Sequence, residues 1–225
     1  MTNPLVDIIK PMRPAEGNVS AQILAKHMGR GALNQSFFLG VAAHIHLASG
    51  IKALGFEEGA ITSPRTCGYI AQCLSLAPGD YVETGTRYGG SALLASLFAD
   101  NVVTIDPAHE TEFNLVMEKA AGKSRDKITR IGKRSNEVKR LPKGNYTVAF
   151  IDGSHTKEDV LYDWLFFKTR VSDFIIFDDV DLRDVYMVVS LAINNTPDWV
   201  LVAFQYPTTA VFAKNPVDSV QYGAF

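Results

Sequence analysis

The apolar positions of this chain fall into two patterns that meet near Pro78-Gly79-Asp80. Before that point they recur at helical spacing: Ile23, Leu24, His27 and Met28, then Phe37, Phe38, Val41, Ala42 and Ile45, then Ile51 and Leu54. Glycines at 29, 31, 40, 50, 55 and 59 interrupt the pattern. Residues 1–78 therefore read as short helices and loops, a helical N-terminal cap. From Tyr81 onward, short apolar runs at 81–83, 102–105, 127–131, 147–152, 174–177, 199–204 and 210–214 read as strands. Helical stretches at 91–99, 110–121, 136–141, 157–169 and 182–194 lie between most of them. Strands that are apolar on both faces and alternate with helices predict a parallel sheet covered on both sides. Only Q-Y-P-T-T separates the last two runs, which is too short for a crossover helix and predicts an antiparallel hairpin. The expected fold is α/β, a doubly wound, seven-stranded, mostly parallel sheet with one antiparallel strand, in a domain over residues 79–225.

Composition narrows the function classes. The chain has 225 residues, 47% of them hydrophobic, which is enough for one sizeable core. The formal net charge is −2, so no basic excess calls for a nucleic-acid partner. The basic run from Lys123, K-S-R-D-K-I-T-R-I-G-K-R, reads as a solvated face. No apolar stretch is long enough to span a bilayer, and the first residues lack the apolar core of a signal peptide. Cys67 and Cys73 are six apart without flanking histidines, which fits neither a zinc site nor a disulfide framework. Reduced, partly buried thiols in a cytoplasmic protein are expected, with no membrane association.

Ligands of such sheets bind beyond the C-terminal ends of the strands, where strand order reverses. Five acids stand at four of those ends: Glu83, Asp106, Asp152, and the pair Asp178 and Asp179. Any one of them could be a helix cap or turn residue. Together they would repel one another unless cations or donors balance them, so the set predicts a cationic ligand, a metal, or both. The first of these acids opens a glycine-rich loop, E-T-G-T-R-Y-G-G-S at 83–91. The loop lacks the middle glycine of G-x-G-x-x-G and the G-K-[ST] of a Walker loop. A glycine turn beside an acid suits a ligand that carries an ammonium group and no phosphate. Asp106 lies about twenty residues further on, where a carboxylate can hold ribose hydroxyls. An amino acid joined to a nucleoside has both features.

These residues resemble a known family. E-T-G-T-R-Y-G-G-S and T-I-D-P are similar to the first two motifs of class I S-adenosylmethionine-dependent methyltransferases, which have a Rossmann-like fold. F-I-D-G-S-H-T-K-E-D-V-L-Y-D-W followed by F-I-I-F-D-D-V resembles the branch of macrocin-type sugar O-methyltransferases and cephalosporin hydroxylase-like proteins. The resemblance covers residues 79–215 or so. It implies that Glu83, Gly85 and Gly89 line the methionine end of the cofactor, with Thr86 and Ser91 donating to its carboxylate and Asp152 nearby. It implies that Asp106 holds the ribose and that Ser135 lies near the adenine. It implies further that Asp152, Asp178 and Asp179 bind a divalent cation, for which three oxygen ligands suit Mg2+. Asp152 and His155 would then serve the chemistry, His155 as the base that takes the acceptor's proton. The alternative for His155 is a neighbour of the helix cap or a partner to a ligand.

Some features depart from the family pattern. The segment before the fifth strand, T-R-V-S-D-F, lacks the Gly-Gly turn of most relatives. His44 and His46 could mimic a metal pair, but residues two apart on a helix face different ways. Arg87 and Tyr88 could reach substrate or simply face solvent. The expected function is metal-assisted O-methylation of a small molecule such as a sugar or glycosylated metabolite. The competing readings are a nicotinamide-dependent oxidoreductase and a binding module without chemistry. Apolar cap residues such as Phe37 and Phe38 could serve as core or as the interface of a homo-oligomer.

Overall fold

A computed structural model describes residues 35–56, 62–120, 122–205 and 207–214. The helical spacing at Ile23, Leu24, His27 and Met28 and the glycines at 29, 31 and 59 lie outside the described residues. Two helices precede the sheet, α1 (Gln35–Ala53) and α2 (Pro64–Leu76). α2 starts on a cap whose origin is local: the Ser63 hydroxyl accepts from Thr66 N at 3.1 Å, and Pro64 needs no donor at the first helical position.

The expectation of short helices fails at α1, which runs 19 residues through Gly40 and Gly50. Gly40 is a packing contact rather than a breaker. A Cβ there would lie 2.5 Å from the Cys67 carbonyl oxygen and 2.7 Å from the Ala71 Cβ, so its absence lets α1 and α2 cross closely.

The sheet comprises β1 (Asp80–Thr84), β2 (Val102–Ile105), β3 (Ile128–Ile131), β4 (Tyr146–Ile151), β5 (Phe174–Phe177), β6 (Trp199–Gln205) and β7 (Thr209–Lys214). Between them lie α3 (Gly90–Ser96), α4 (Glu110–Ala120), α5 (Lys157–Phe167) and α6 (Arg183–Asn195). Strand order is β3-β2-β1-β4-β5-β7-β6. β7 is the one reversed strand, antiparallel to both neighbours, as the short final connection predicts. The expected helix at 136–141 is a single 3-10 turn, Ser135–Glu137. The polar run N-E-V-K-R offers no apolar stripe to hold a longer helix, and Pro142 follows closely.

The core has two layers. Ile70, Leu74, Tyr81, Leu94 and Phe150 pack on the face covered by α1, α2 and α3. Val82, Ile105, Trp164, Phe167 and Phe212 pack on the face covered by α5 and α6. Every residue of β1, β2, β4 and β5 is buried, which accounts for their continuous apolar runs. Register then sets the site. Thr84 pairs with Ile105 and with Ile151, so Gly85, Asp106 and Asp152 emerge level at one edge. The chain builds outward from β1 to β2 and β3, then returns to β4, and that reversal opens a crevice.

Both cysteines are free and buried. Among the described residues no helix is long and apolar enough to cross a membrane. The histidines of α1 do not converge: His44 Nδ1 stands 3.6 Å from Cys67 Sγ, while His46 is exposed.

Candidate active site

A cleft of about 650 Å³ lies at the C-terminal edge of the sheet, over β1, β2, β4 and β5. Its near wall is the loop after β1. Gly85 has φ +83°, and a Cβ there would sit 1.8 Å from the Asp152 carbonyl oxygen. Only glycine lets this loop cross so close to β4. Asp106 holds the wall from the other side. Its carboxylate accepts from Arg87 N and from Ala108 N, each at 2.7 Å. Arg130 donates from beyond β2 to the carbonyl oxygens of Asp106 and Ala108.

Gly85, Thr86, Ser91, Asp106, Ser135 and Asp152 all line the cleft. Glu83 and Gly89 do not. Gly89, at φ +90°, caps α3 with its α-carbon against Phe113 and Met117. Glu83 is fully buried beneath the loop. The hydroxyls of Tyr81, Thr86 and Thr104 each donate to its carboxylate at 2.9 Å. Burial pushes its pKa up, and these hydroxyls together with that of Ser91 oppose the rise. The structure thus gives the opening acid a cage of neutral donors.

The far end of the cleft is acidic. Asp152, His155 and Asp179 bring a ligand atom each to within 4.8 Å of one another. His155 Nε2 lies 3.1 Å from Asp179 and 4.0 Å from Asp152. Burial drives the Asp152 pKa up to about 8, with the charges of Asp178, Asp179 and Glu83 adding to the rise and His155 opposing it. His155 is pushed up to about 10 by its hydrogen bonds to Asp152 and Asp179.

Asp178, expected beside Asp179 as a ligand, turns the other way. It lines the cleft, but its carboxylate accepts from Thr66 Oγ1 at 3.0 Å and from Thr62 Oγ1. Burial raises it to about 6, with the Thr62 hydroxyl opposing. Consecutive residues at a strand end face opposite ways, and the turn at Asp179, at φ +49°, sends that carboxylate alone toward His155.

Two contributions escape the sequence reading. One is the threonine set Thr62, Thr66 and Thr209, which ties α2 and β7 to Asp178; Thr66 and Thr209 hydroxyls are 2.6 Å apart. The other is Asp163 in α5, 2% exposed, on the cleft wall beside Ser135. Thr84 Oγ1 donates to Asp163 Oδ2 at 2.8 Å. Burial raises its pKa to about 6, opposed by the hydroxyls of Ser135 and Thr84. The signal was present in V-L-Y-D-W-L-F-F, an acid inside an otherwise apolar helical run.

Comparison with known proteins agrees with this geometry. Residues 82–180 match a family described as a methyltransferase domain. Curated proteins give no match. Among solved structures, an O-methyltransferase from Bacillus cereus in complex with S-adenosylhomocysteine superposes with a TM-score of 0.61 at 15% identity, covering 77% of this chain and 90% of that one. The O-methyltransferase TomG from Streptomyces achromogenes, involved in tomaymycin synthesis and bound to S-adenosylmethionine, gives 0.61 at 13% identity, covering 77% and 89%. A methyltransferase from Podospora anserina, bound to S-adenosylhomocysteine, gives 0.58 at 12% identity, covering 76% and 87%. The fold is that of these methyltransferase structures, and the matched domain spans the motifs at 83–91 and 150–179.

Proposed function

We propose that this chain is a class I S-adenosylmethionine-dependent methyltransferase that methylates a hydroxyl of a small molecule, with Asp152, His155 and Asp179 as the reacting end of its cleft. The observation that carries the reading is their convergence at the end of the cleft away from Asp106. Asp106 has lone pairs left for ribose hydroxyls after its two backbone bonds. Glu83 supports the loop from below, and the ligand meets Thr86 and Ser91 above it. The resemblance of F-I-D-G-S-H and F-I-I-F-D-D to sugar O-methyltransferases supports a sugar or glycosylated acceptor.

Methyl transfer from a sulfonium needs an electron-rich oxygen in line with the methyl group. His155 is the group in reach of the acceptor's proton, but its hydrogen bonds to Asp152 and Asp179 hold it protonated, so it would act as a base only once a cation or ligand charge beside the two acids has displaced its own proton. Two carboxylates and an imidazole also fit a divalent cation, and Asp152, His155 and Asp179 would hold it. Such an ion supplies charge that lowers the pKa of a bound hydroxyl. Magnesium was expected from three oxygen ligands. The imidazole in the set, and the turning away of Asp178, make manganese an equal candidate.

The test is calorimetric titration with S-adenosylmethionine and S-adenosylhomocysteine, with and without Mg2+ or Mn2+, on wild type and Asp179→Ala. Micromolar binding of both cofactor forms is expected, with metal binding lost in Asp179→Ala and S-adenosylhomocysteine binding kept. Failure of both forms to bind would end the cofactor reading. Unchanged metal binding in the variant would end the assignment of the ion to this triad.

A further inference from the structure

A second hollow adjoins the reacting end of the cleft, between α1, the start of α2 and the turn from β6 to β7. It holds about 440 Å³, a volume typical of small-molecule sites. Phe37, Phe38 and Val41 of α1, Pro64 of α2 and Pro207 of the turn form its walls. Phe37 and Val41 stand one helical turn apart, so α1 presents them on the same side. Packing places both phenylalanines. A Cβ on Gly68 would stand 2.6 Å from the Phe37 ring, so that ring rests on bare backbone of α2. Tyr69 packs against Phe37 in a T-shape with centroids 5.4 Å apart, and Phe38 does so at 5.7 Å.

The hollow continues the cleft, because Ser63 and Thr208 line both. The chain leaving Asp179 is bonded to the same turn: Val180 N donates to Thr208 O at 3.3 Å and Asp181 N to Pro207 O at 3.0 Å. From the other side, the Thr66 and Thr209 hydroxyls, 2.6 Å apart, join α2 to β7. The junction therefore holds the hollow and the reacting end in one fixed relation. Its chemistry differs from that of the cleft. No carboxylate lines it, and its one charged residue, Arg65, carries a planar guanidinium that can lie on a ring as readily as it pairs with an anion. Phe38 is left 64% exposed. Aromatic and proline walls open to water favour a flat apolar occupant. A molecule hydroxylated all round would leave its hydroxyls without partners against them.

Resting on the hydroxyl-methylation reading above, we propose that this hollow seats the non-reacting body of the acceptor, and that it selects a hydroxylated molecule carrying a flat apolar ring system over a free sugar. With the cofactor in the cleft from Asp106 to the reacting end, the hollow is the space beside that end into which the rest of the acceptor extends. Phe37, Phe38 and Val41 then determine specificity by touching the part of the acceptor that does not react. Withdrawing a two-ring aryl group from water against these walls strengthens binding by about tenfold or more.

The experiment uses the full chain saturated with S-adenosylhomocysteine and two glycosides of the same sugar, 1-naphthyl β-D-glucopyranoside and methyl β-D-glucopyranoside. Calorimetric Kd values are taken for wild type, Phe38→Glu and Ile45→Glu. Both substitutions fall on exposed positions of α1, but Ile45 does not line the hollow. Wild type and Ile45→Glu are expected to bind the naphthyl glycoside about tenfold or more tighter than the methyl glycoside. Phe38→Glu is expected to bring that ratio to within about twofold while its S-adenosylhomocysteine affinity stays that of wild type. A wild-type ratio within about twofold, binding of neither glycoside, or a ratio that survives Phe38→Glu would overturn the assignment and leave the cofactor reading intact. Loss of the ratio in Ile45→Glu as well would overturn it too, since the preference would then belong to the exposed side of α1 at large. Sedimentation velocity tests the other occupant: self-association of wild type that Phe38→Glu abolishes would make the hollow an interface between two copies and overturn the assignment. Failure of wild type to bind S-adenosylhomocysteine would overturn the cofactor reading itself, and this assignment with it.

Discussion

Replacing Gly85 with alanine should damage the cofactor loop and the acidic end of the cleft together. Two costs combine at this position. The backbone lies at φ +83°, where an L-residue with a Cβ is disfavoured by about 1–2 kcal/mol. The new Cβ would also stand 1.8 Å from the Asp152 carbonyl oxygen and 2.7 Å from the Gly153 Cα. Neither neighbour is a flexible side chain, so backbone must shift by about 1 Å or more in a region packed like a crystal. Asp152 N donates to Thr84 O at 3.2 Å, so movement on either side of the crossing strains the other. The summed cost is about 3–5 kcal/mol in line with other overpacked, strained positions. Urea unfolding should show that loss. Calorimetry should show S-adenosylhomocysteine binding weakened by about tenfold or more. Gly153→Ala is the matched control, because its Cβ would meet Thr84 at 3.3 Å and it has no left-handed backbone; it should cost less than about 1 kcal/mol. If Gly85→Ala loses less than about 1 kcal/mol and binds as wild type does, the loop does not depend on this crossing and the reasoning fails.

Two further outcomes follow from buried acids. The Asp163 carboxyl has its pKa raised by burial from 3.8 to about 6, so the folded state holds its proton more tightly than the unfolded chain does. Its stabilising share is complete below the unfolded value and is lost as pH rises through about 6; ligand-free Asp163→Asn should therefore gain about 1–1.5 kcal/mol on wild type between pH 5 and pH 8 in urea titrations, and a pH-independent difference would refute the titration. Thr66→Val removes the buried hydroxyl that donates to Asp178 at 3.0 Å and touches Thr209 at 2.6 Å, and should cost about 1–3 kcal/mol in unfolding free energy; an unchanged midpoint would mean that Asp178 does not need this donor.

Much of the fold was legible because its signals are local. Strands buried on both faces gave unbroken apolar runs, and the five-residue gap after 204 forced a hairpin. The cap was less legible: Gly40 looks like a helix breaker until the partner helix that needs its missing side chain is in view. At the site, position along the sheet was readable and direction was not. Glu83, Asp106, Asp152, Asp178 and Asp179 all follow or end strands, yet Glu83 points down into hydroxyls and Asp178 sideways to α2. Tyr81 shares a face with Glu83 by strand spacing, but Thr104, Thr62 and Thr66 come from another strand and from a distant helix start, and no spacing rule links them to the acids. Asp163 was hidden for the opposite reason, being far from any strand end and brought to the cleft only by the packing of α5 on the 3-10 turn.

The two hydrogen bonds that the Asp106 carboxylate accepts from the Arg87 and Ala108 amides have a consequence for how a ligand arrives. With Arg130 gripping the same corner, the two loops that wall this part of the cleft have already given up their conformational freedom when the chain folds. An incoming nucleoside meets a finished surface and has little left to organise there. Association at this end should behave as a single collision-controlled step whose observed rate climbs linearly with ligand concentration, without the plateau that a slow rearrangement of the walls would impose.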